Sequence, residues 1–136
     1  MDTFELEIVT PEKLMVKDSA EEVQIPGKNG YLGILPGHAP LITELSVGEI
    51  TYKTAGSTFS LAVAWGFAEV LPTKVTILAE SAERPQDIDV PRAEAARERA
   101  ESWLKNPEGD VNRAMNALQR AEVRIAVAKK ASVRAS

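Results

Sequence analysis

Four arginines in the C-terminal part of the chain have the type and spacing expected of a phosphate-binding site. Arg92 and Arg99 are seven residues apart and Arg120 and Arg124 are four apart, so on helices each pair shares a face. A hairpin folded about Pro107 brings Arg92 roughly level with Arg120 and Arg124. The guanidinium fork suits phosphate oxygens, and clustered cations repel each other unless an anion joins them. The spacing therefore predicts an anion site.

The alternative interpretation of these arginines is an ordinary solvated helix surface. Acidic residues that would neutralise them lie in the same segment, at Glu94, Glu98 and Glu101. Charge runs on helices are commonly solvated in this way. From the residues alone, both interpretations stay open.

Composition excludes several kinds of site. The chain has 0 cysteines and a single histidine, His38. Disulfides, thiolate zinc sites and multi-histidine metal sites are therefore excluded, and no metal ligand set is expected. No nucleophile–base set accompanies His38, so we expect a non-catalytic chain that requires no cofactor.

The net charge of −4 is unevenly distributed. Residues 111–136 carry six basic residues against one acidic residue, a net +5, which leaves −9 for residues 1–110. The basic residues of this tail are Arg113, Arg120, Arg124, Lys129, Lys130 and Arg134. A basic tail on an acidic body indicates that the tail meets an acidic protein surface, a nucleotide or a nucleic acid.

Residues 1–86 show the period-two alternation of β-strands. Apolar and polar residues alternate in five segments: Phe4–Ile8, Val23–Ile25, Ile50–Tyr52, Phe59–Val63 and Val75–Ala79. Turn signals rich in glycine and proline separate these segments. Many short strands at this spacing, without intervening helices, predict an antiparallel β-sandwich of about ten strands.

After residue 86 the period changes to that of helices. Asp89 can cap a helix and Pro91 fits its first turn, where a missing N–H costs nothing. Residues 106–109 stop this helix, and Asp110 caps the next. Apolar residues share a face on each helix: Ala93, Ala96, Ala100, Trp103 and Leu104 on the first, and Val111, Ala114, Leu118, Ala121, Ile125, Ala128 and Ser132 on the second. Residues 87–136 are therefore predicted to form an antiparallel helical hairpin, which makes the chain an α+β protein of two domains.

The predicted seam between the two helices is rich in alanine, which buries little apolar area. Two interpretations of the hairpin follow. It is either a small appendage packed on the sandwich or an element that can open and move.

The segment 30–43 reads GYLGILPGHAPLIT, with three glycines and two prolines. It resembles a hallmark of the epsilon subunit of F-type ATP synthases. Four further segments are similar to the family in the same order: 6–11, 65–70, 79–83 and 88–93. The resemblance spans the whole chain, with two departures. Tyr31 stands where the family often has Glu or Gln, and Trp65 stands where it has glycine.

The resemblance implies a non-catalytic rotor subunit on the cytoplasmic face of the bacterial plasma membrane. The sandwich would bind the gamma subunit and the ring of c subunits, so that proton flow is coupled to the catalytic head. Tyr31, in the loop placed against the ring, and His38 would make these contacts. For His38 the alternative is a loop histidine that hydrogen-bonds locally.

The resemblance also implies a regulatory hairpin. Extended toward the alpha and beta subunits, it would inhibit ATP hydrolysis through the basic residues of the tail. Folded, it would hold ATP as a regulatory ligand, through Ile88, Asp89, Arg92, Arg99, Arg120 and Arg124.

Two other classes of protein were weighed against this family. A nucleic-acid-binding module with a basic C-terminal helix would bind DNA or RNA with steep salt dependence. The acidic body and the lack of an aromatic-and-basic surface pattern argue against it, so no nucleic-acid partner is expected. A small-molecule enzyme on a β-sandwich lacks both a nucleophile–base set and a metal cluster.

Overall fold

The computed structural model of the chain describes residues 2–106 and 108–135, with side chains through residue 131. It divides into two compact units, Met1–Ala82 and Glu83–Ser136. The described residues form eight β-strands, one short 3-10 helix and two α-helices. The domain boundary expected after residue 86 falls inside the 3-10 helix, Pro85–Asp87.

The first unit is built on the eight strands. They are β1 Phe4–Val9, β2 Leu14–Ala20, β3 Glu22–Gly27, β4 Gly30–Ile34, β5 Leu41–Leu45, β6 Gly48–Thr54, β7 Ser57–Val70 and β8 Lys74–Glu83. Hydrogen bonding follows the order β2-β1-β8-β7-β5-β3-β4, and β6 pairs with both β3 and β7. The strand pairs β1/β2, β3/β4, β3/β5, β3/β6, β5/β7 and β6/β7 are antiparallel, whereas β1 and β8 run parallel. Residues 10–73 separate these two strands, which leaves room for the long connection that a parallel pair needs.

Strand β7 changes partners along its length. Its first half pairs with β6 and its second half with β5. The change occurs at Trp65 and Gly66, which have positive φ angles of 60° and 127°. A Cβ on Gly66 would overlap the backbone of Leu78, so only glycine fits this bend. Residues 59–63 and 65–70 thus belong to one bent strand, and the described residues form eight strands where about ten were predicted.

The core of the first unit lies on the inward face of the alternating strands. Leu6, Ile25, Ile50, Leu61 and Ile77 are among its fully buried side chains. All eight strands contribute to this one cluster. The predicted alternation is therefore confirmed in strands such as β1 and β6, but it is wrong for β7, where Ser60 and Ala62 are buried as well as Leu61 and Val63.

The second unit contains the two α-helices, α1 Val90–Leu104 and α2 Val111–Ala135. The Asp89 side chain accepts a hydrogen bond from the Arg92 N–H at 3.1 Å, and Asp110 accepts one from the Arg113 N–H at the same distance. Both predicted N-caps are thus confirmed. The two helices pack against each other, and α2 also packs against the 3-10 helix.

Burial in the hairpin differs from the sequence prediction in two places. Fewer side chains are buried next to the loop, and one more is buried further along α2. Trp103 and Val111 are exposed, because they lie at the helix ends next to the loop, where no further turn of the partner helix covers them. Val127, absent from the predicted seam, is fully buried with Ile125. Ala93 and Ala100 of α1 are buried as predicted, and so are Ala114, Ala121 and Ala128 of α2. Pro107 and the side chain of Ser132 lie outside the described residues.

None of the helices in the described part of the chain combines the length and the apolar character that crossing a bilayer requires.

Candidate interaction and ligand sites

Tyr31 lies in a strand, so its predicted position in a loop is wrong. It is part of β4 and stands opposite Pro26 of β3. Its hydroxyl oxygen accepts a hydrogen bond from the Glu49 N–H at 3.0 Å. Gly48 lies so close that a Cβ there would overlap Pro26 and the Tyr31 hydroxyl. The hydroxyl therefore ties β4 to the start of β6, while the ring remains half-exposed.

This geometry predicts that Tyr31→Phe destabilises the first unit slightly. The variant removes the acceptor of the Glu49 N–H, and one hydrogen bond contributes about 0.5–1.5 kcal/mol to the free energy of unfolding. We expect a loss near the lower value, because this bond is exposed and water can replace the acceptor. Urea unfolding of the variant and the wild type measures the difference. An unchanged midpoint would contradict a structural role for the hydroxyl.

His38 lies in the short loop between β4 and β5. Its N–H donates to the Leu35 carbonyl at 3.2 Å, and its ring Nδ1 lies 2.7 Å from the Ala39 carbonyl oxygen. A carbonyl oxygen only accepts, so Nδ1 donates in this contact and Nε2 is not used by it. The neighbouring Gly37, at φ 87°, donates its N–H to the Pro72 carbonyl at 2.8 Å. These bonds match the local interpretation of His38, and the partly exposed ring still offers Nε2 to a partner.

An apolar strip crosses the outer surface of four neighbouring strands. Val9 of β1 pairs with Leu14 of β2 on one side and with Leu78 of β8 on the other. The tight turn in which Leu71 and Lys74 exchange two backbone hydrogen bonds puts Phe67 of β7 opposite Leu78. The apolar strip is therefore the continuous row Leu14, Val9, Leu78 and Phe67.

The apolar strip is open to solvent. Leu14, Leu78 and Phe67 are 52%, 54% and 51% exposed. Glu44 stands directly opposite Phe67 at the end of the row and forms an ion pair with Lys28 at 2.9 Å, so the strip has a charged border there. Sequence reasoning missed this surface. A signal was present in the sequence: Phe67 and Leu78 each precede an alanine, Ala68 or Ala79. Because those alanines are buried, the larger neighbouring side chains must point outward.

Three of the residues predicted to bind ATP lie together at the start of α1. Ile88 is buried, and Asp89 is exposed, with its carboxylate holding the Arg92 N–H. The Arg92 side chain is exposed, as are Arg99 further along α1 and Arg120 on α2. The carboxylate of Asp89 is thus already used as a helix cap.

Arg124, the fourth predicted arginine, is engaged by a residue that the sequence did not single out. Its Nε and Nη2 donate to the two carboxylate oxygens of Glu83 at 2.6 and 3.0 Å. Glu83 is the first residue of the second unit, 41 positions before Arg124. No local pattern links residues so far apart, so only the fold could reveal this pair.

The basic residues of α2 are not equivalent. Arg113, Arg120 and Lys129 are exposed, and Lys130 is partly buried. Arg124 is partly buried and neutralised by Glu83. The side chain of Arg134 lies outside the described residues. The face predicted to be inhibitory therefore consists of several exposed cations and one that is already paired.

None of the four predicted arginines lines either of two clefts in the described residues. One of about 360 Å³ is lined by residues of β3, β4 and β6, including Gln24, Gly33 and Thr51. Another of about 270 Å³ lies at the tip of the hairpin and includes Trp103 and Arg113. Within the described range, no group of three or more acidic, histidine or cysteine side chains is arranged to hold a metal ion.

Comparison with protein families gives two matches that together cover most of the chain. Residues 3–85 match the model described as ATP synthase, Delta/Epsilon chain, beta-sandwich domain. Residues 86–129 match that of the long alpha-helix domain of the same chain. The predicted sandwich followed by two helices is thereby confirmed.

Curated relatives that align over most of their length are named ATP synthase epsilon chain. A protein of Koribacter versatilis named ATP synthase epsilon chain is 74% identical over 104 residues, covering 76% of this chain and 73% of its own. The protein of that name from Solibacter usitatus is 47% identical, covering 95% of this chain and 98% of its own. A third, from Desulfitobacterium hafniense, is 49% identical over 93% of this chain and 97% of its own.

Solved structures of distant relatives have the same fold. A chain in the Euglena gracilis mitochondrial ATP synthase structure, described as OSCP/F1/c-ring, aligns with a TM-score of 0.81 at 20% identity. The alignment covers 98% of this chain and 82% of that one. A chain of the Tetrahymena thermophila mitochondrial ATP synthase central stalk and c-ring aligns with a TM-score of 0.57 at 14% identity, covering 94% and 95% of the two chains.

Proposed function

The chain belongs to the epsilon-chain family of F-type ATP synthases, non-catalytic subunits of the central stalk, and from this we propose how it docks and regulates. The first unit docks on the gamma subunit and the c ring, and so helps to couple proton flow to ATP synthesis. The second unit restrains ATP hydrolysis and responds to ATP. The chain works at the cytoplasmic face of the bacterial plasma membrane, as a peripheral part of the synthase.

The apolar strip is the observation that carries the docking proposal. Three half-exposed aliphatic and aromatic side chains in one row are an unusual surface to leave in water. The charged border formed by Glu44 and Lys28 resembles the polar rim that surrounds the apolar centre of protein interfaces. We assign the strip to gamma, since a rotor subunit needs a lasting attachment to the shaft.

The loop after β4 supports the contact with the c ring. Leu35 is largely exposed, and His38 presents Nε2 from a loop that Gly37 anchors to the Pro72 carbonyl. Tyr31 adds the exposed edge of its ring, while its hydroxyl is held by the Glu49 N–H. An anchored loop of this kind keeps its shape when a partner binds, which lowers the entropic cost of docking.

The exposed cations of α2 support the braking role. Arg113, Arg120 and Lys129 offer charge to an acidic surface on the alpha and beta subunits when the hairpin extends. Each exposed ion pair contributes only about 0.2–1 kcal/mol, so several of them must act together. The small alanine contacts between α1 and α2 make such a rearrangement inexpensive.

The regulatory ligand that we propose for the folded hairpin is ATP, the product of the synthase. The exposed Arg92, Arg99 and Arg120, with Arg124, would hold its phosphates, while Ile88 and Asp89 shape the base and ribose end. A ligand that binds only the folded hairpin stabilises it by RT ln(1 + [L]/Kd), about 2.7 kcal/mol at a hundredfold excess over Kd. High ATP would then keep the brake folded, and falling ATP would release it.

Calorimetric titration of the full chain with ATP tests this ligand. We expect saturable binding that is lost when Arg92→Ala and Arg124→Ala are combined, because the phosphates lose two guanidinium groups. Arg97→Ala is the matched control, since Arg97 pairs with Glu101 on the same helix and is not assigned to the site. Absence of binding at millimolar ATP, or binding that survives both substitutions, would reject the proposed site.

A further inference from the structure

Glu83 and Arg124 form the most completely paired charged contact described in the second unit. Two guanidinium nitrogens meet two carboxylate oxygens at 2.6 and 3.0 Å, which is the bidentate geometry that arginine uses with phosphate. The side chains are 33% and 24% exposed, so water screens the pair only in part. Glu83 therefore offers Arg124 a bidentate anionic partner of the kind that a phosphate group would also offer.

We infer that Glu83 is a built-in competitor for the anion site of the hairpin and sets how much ATP is needed to fill it. The inference rests on the proposed ATP site. In the ligand-free hairpin the carboxylate occupies the Nε and Nη2 edge of Arg124. An incoming phosphate must displace the carboxylate or bind beside it on the remaining N–H groups. The negative charge of the Glu83 carboxylate opposes both arrangements.

Competition by Glu83 predicts a combination of changes in stability and anion affinity that a purely structural role of Glu83 does not. The pair stabilises the ligand-free hairpin, because it joins the segment before α1 to the middle of α2. Removing the charge of Glu83 should lower stability and, at the same time, strengthen anion binding. A carboxylate that only maintained the fold would lower both, since a less stable hairpin binds its ligand less well.

Glu83→Gln in the full chain tests the inference, because it removes the charge and keeps the size. We expect ATP and inorganic tripolyphosphate to bind about tenfold more tightly, as one opposing charge-assisted contact is lost. We also expect a lower Tm without ligand. Glu80→Gln is the matched control, since Glu80 is exposed on the same strand and loses the same charge. In an Arg124→Ala background the Glu83 substitution should leave affinity unchanged, because the shared partner is gone.

The outcomes separate this inference from the proposed ATP site. Wild-type binding that Glu83→Gln leaves unchanged or weakens would overturn the competition and leave the ATP site standing. Failure of both proteins to bind ATP would reject the site and the competition together. Should Glu83→Gln not fold, Glu83→Asp keeps the charge and shortens the reach of the carboxylate. It should then give a smaller increase in affinity, and a decrease would count against the competition.

Discussion

Phe67→Glu combined with Leu78→Glu should weaken binding of the chain to the gamma subunit by at least about 100-fold, the loss expected when interface anchors are removed and charge is buried. The two residues stand opposite each other in the apolar strip, so the variant places two carboxylates within the proposed interface. Both side chains are half-exposed in the free chain, and its fold should tolerate the change. Binding of purified gamma, followed by surface plasmon resonance, measures the loss.

Thr58→Glu is the control for added charge in this experiment. Thr58 is exposed on the half of β7 that pairs with β6, away from the apolar strip. It should leave gamma binding unchanged. Equal affinity of the double variant and the wild type would show that gamma does not use the apolar strip.

Deletion of residues 111–136 should raise ATP hydrolysis by the assembled synthase about fivefold or more, because loss of roughly 1 kcal/mol of attraction already changes an equilibrium fivefold. The deletion removes a segment of net charge +5 that we propose holds the hairpin against the catalytic head. ATP synthesis should remain largely intact, because the first unit carries the docking surface. Hydrolysis and synthesis are measured on the same membrane vesicles.

A milder variant separates charge from the presence of the helix. Arg113→Ala, Arg120→Ala and Lys129→Ala remove three exposed cations of α2 and leave the buried alanines in place. Hydrolysis should rise with this triple variant and stay unchanged with Arg97→Ala on α1. A synthase whose hydrolysis ignores both the deletion and the triple variant does not use this tail as a brake.

Local rules were sufficient to predict much of the fold from the sequence. Asp89 and Asp110 are short carboxylates placed before helical runs, and each caps the helix that follows. Strands such as β1 alternate strictly, so their inward residues could be identified. Strand β2 was missed because Met15 and Val16 are adjacent and both buried, which breaks the alternation near the irregular pairing of Val9.

The sites were harder to predict because they depend on contacts between distant residues. The bond between Tyr31 and Glu49 and the pair of Glu83 with Arg124 join residues 18 and 41 positions apart. The apolar strip combines single residues from four strands, which are brought together only by the pairing of those strands. Each of these contacts depends on strand pairing or helix packing. The periodicity of a single segment gives no information about either.

A binding assay with the unmodified chain tests whether this protein attaches to the gamma subunit. Purified full-length chain and gamma subunit are mixed at equal concentrations and separated by size-exclusion chromatography. We expect a stable complex with one copy of each protein, because the apolar strip provides a lasting attachment. Separate elution of the two proteins, with both shown to be folded, would contradict it.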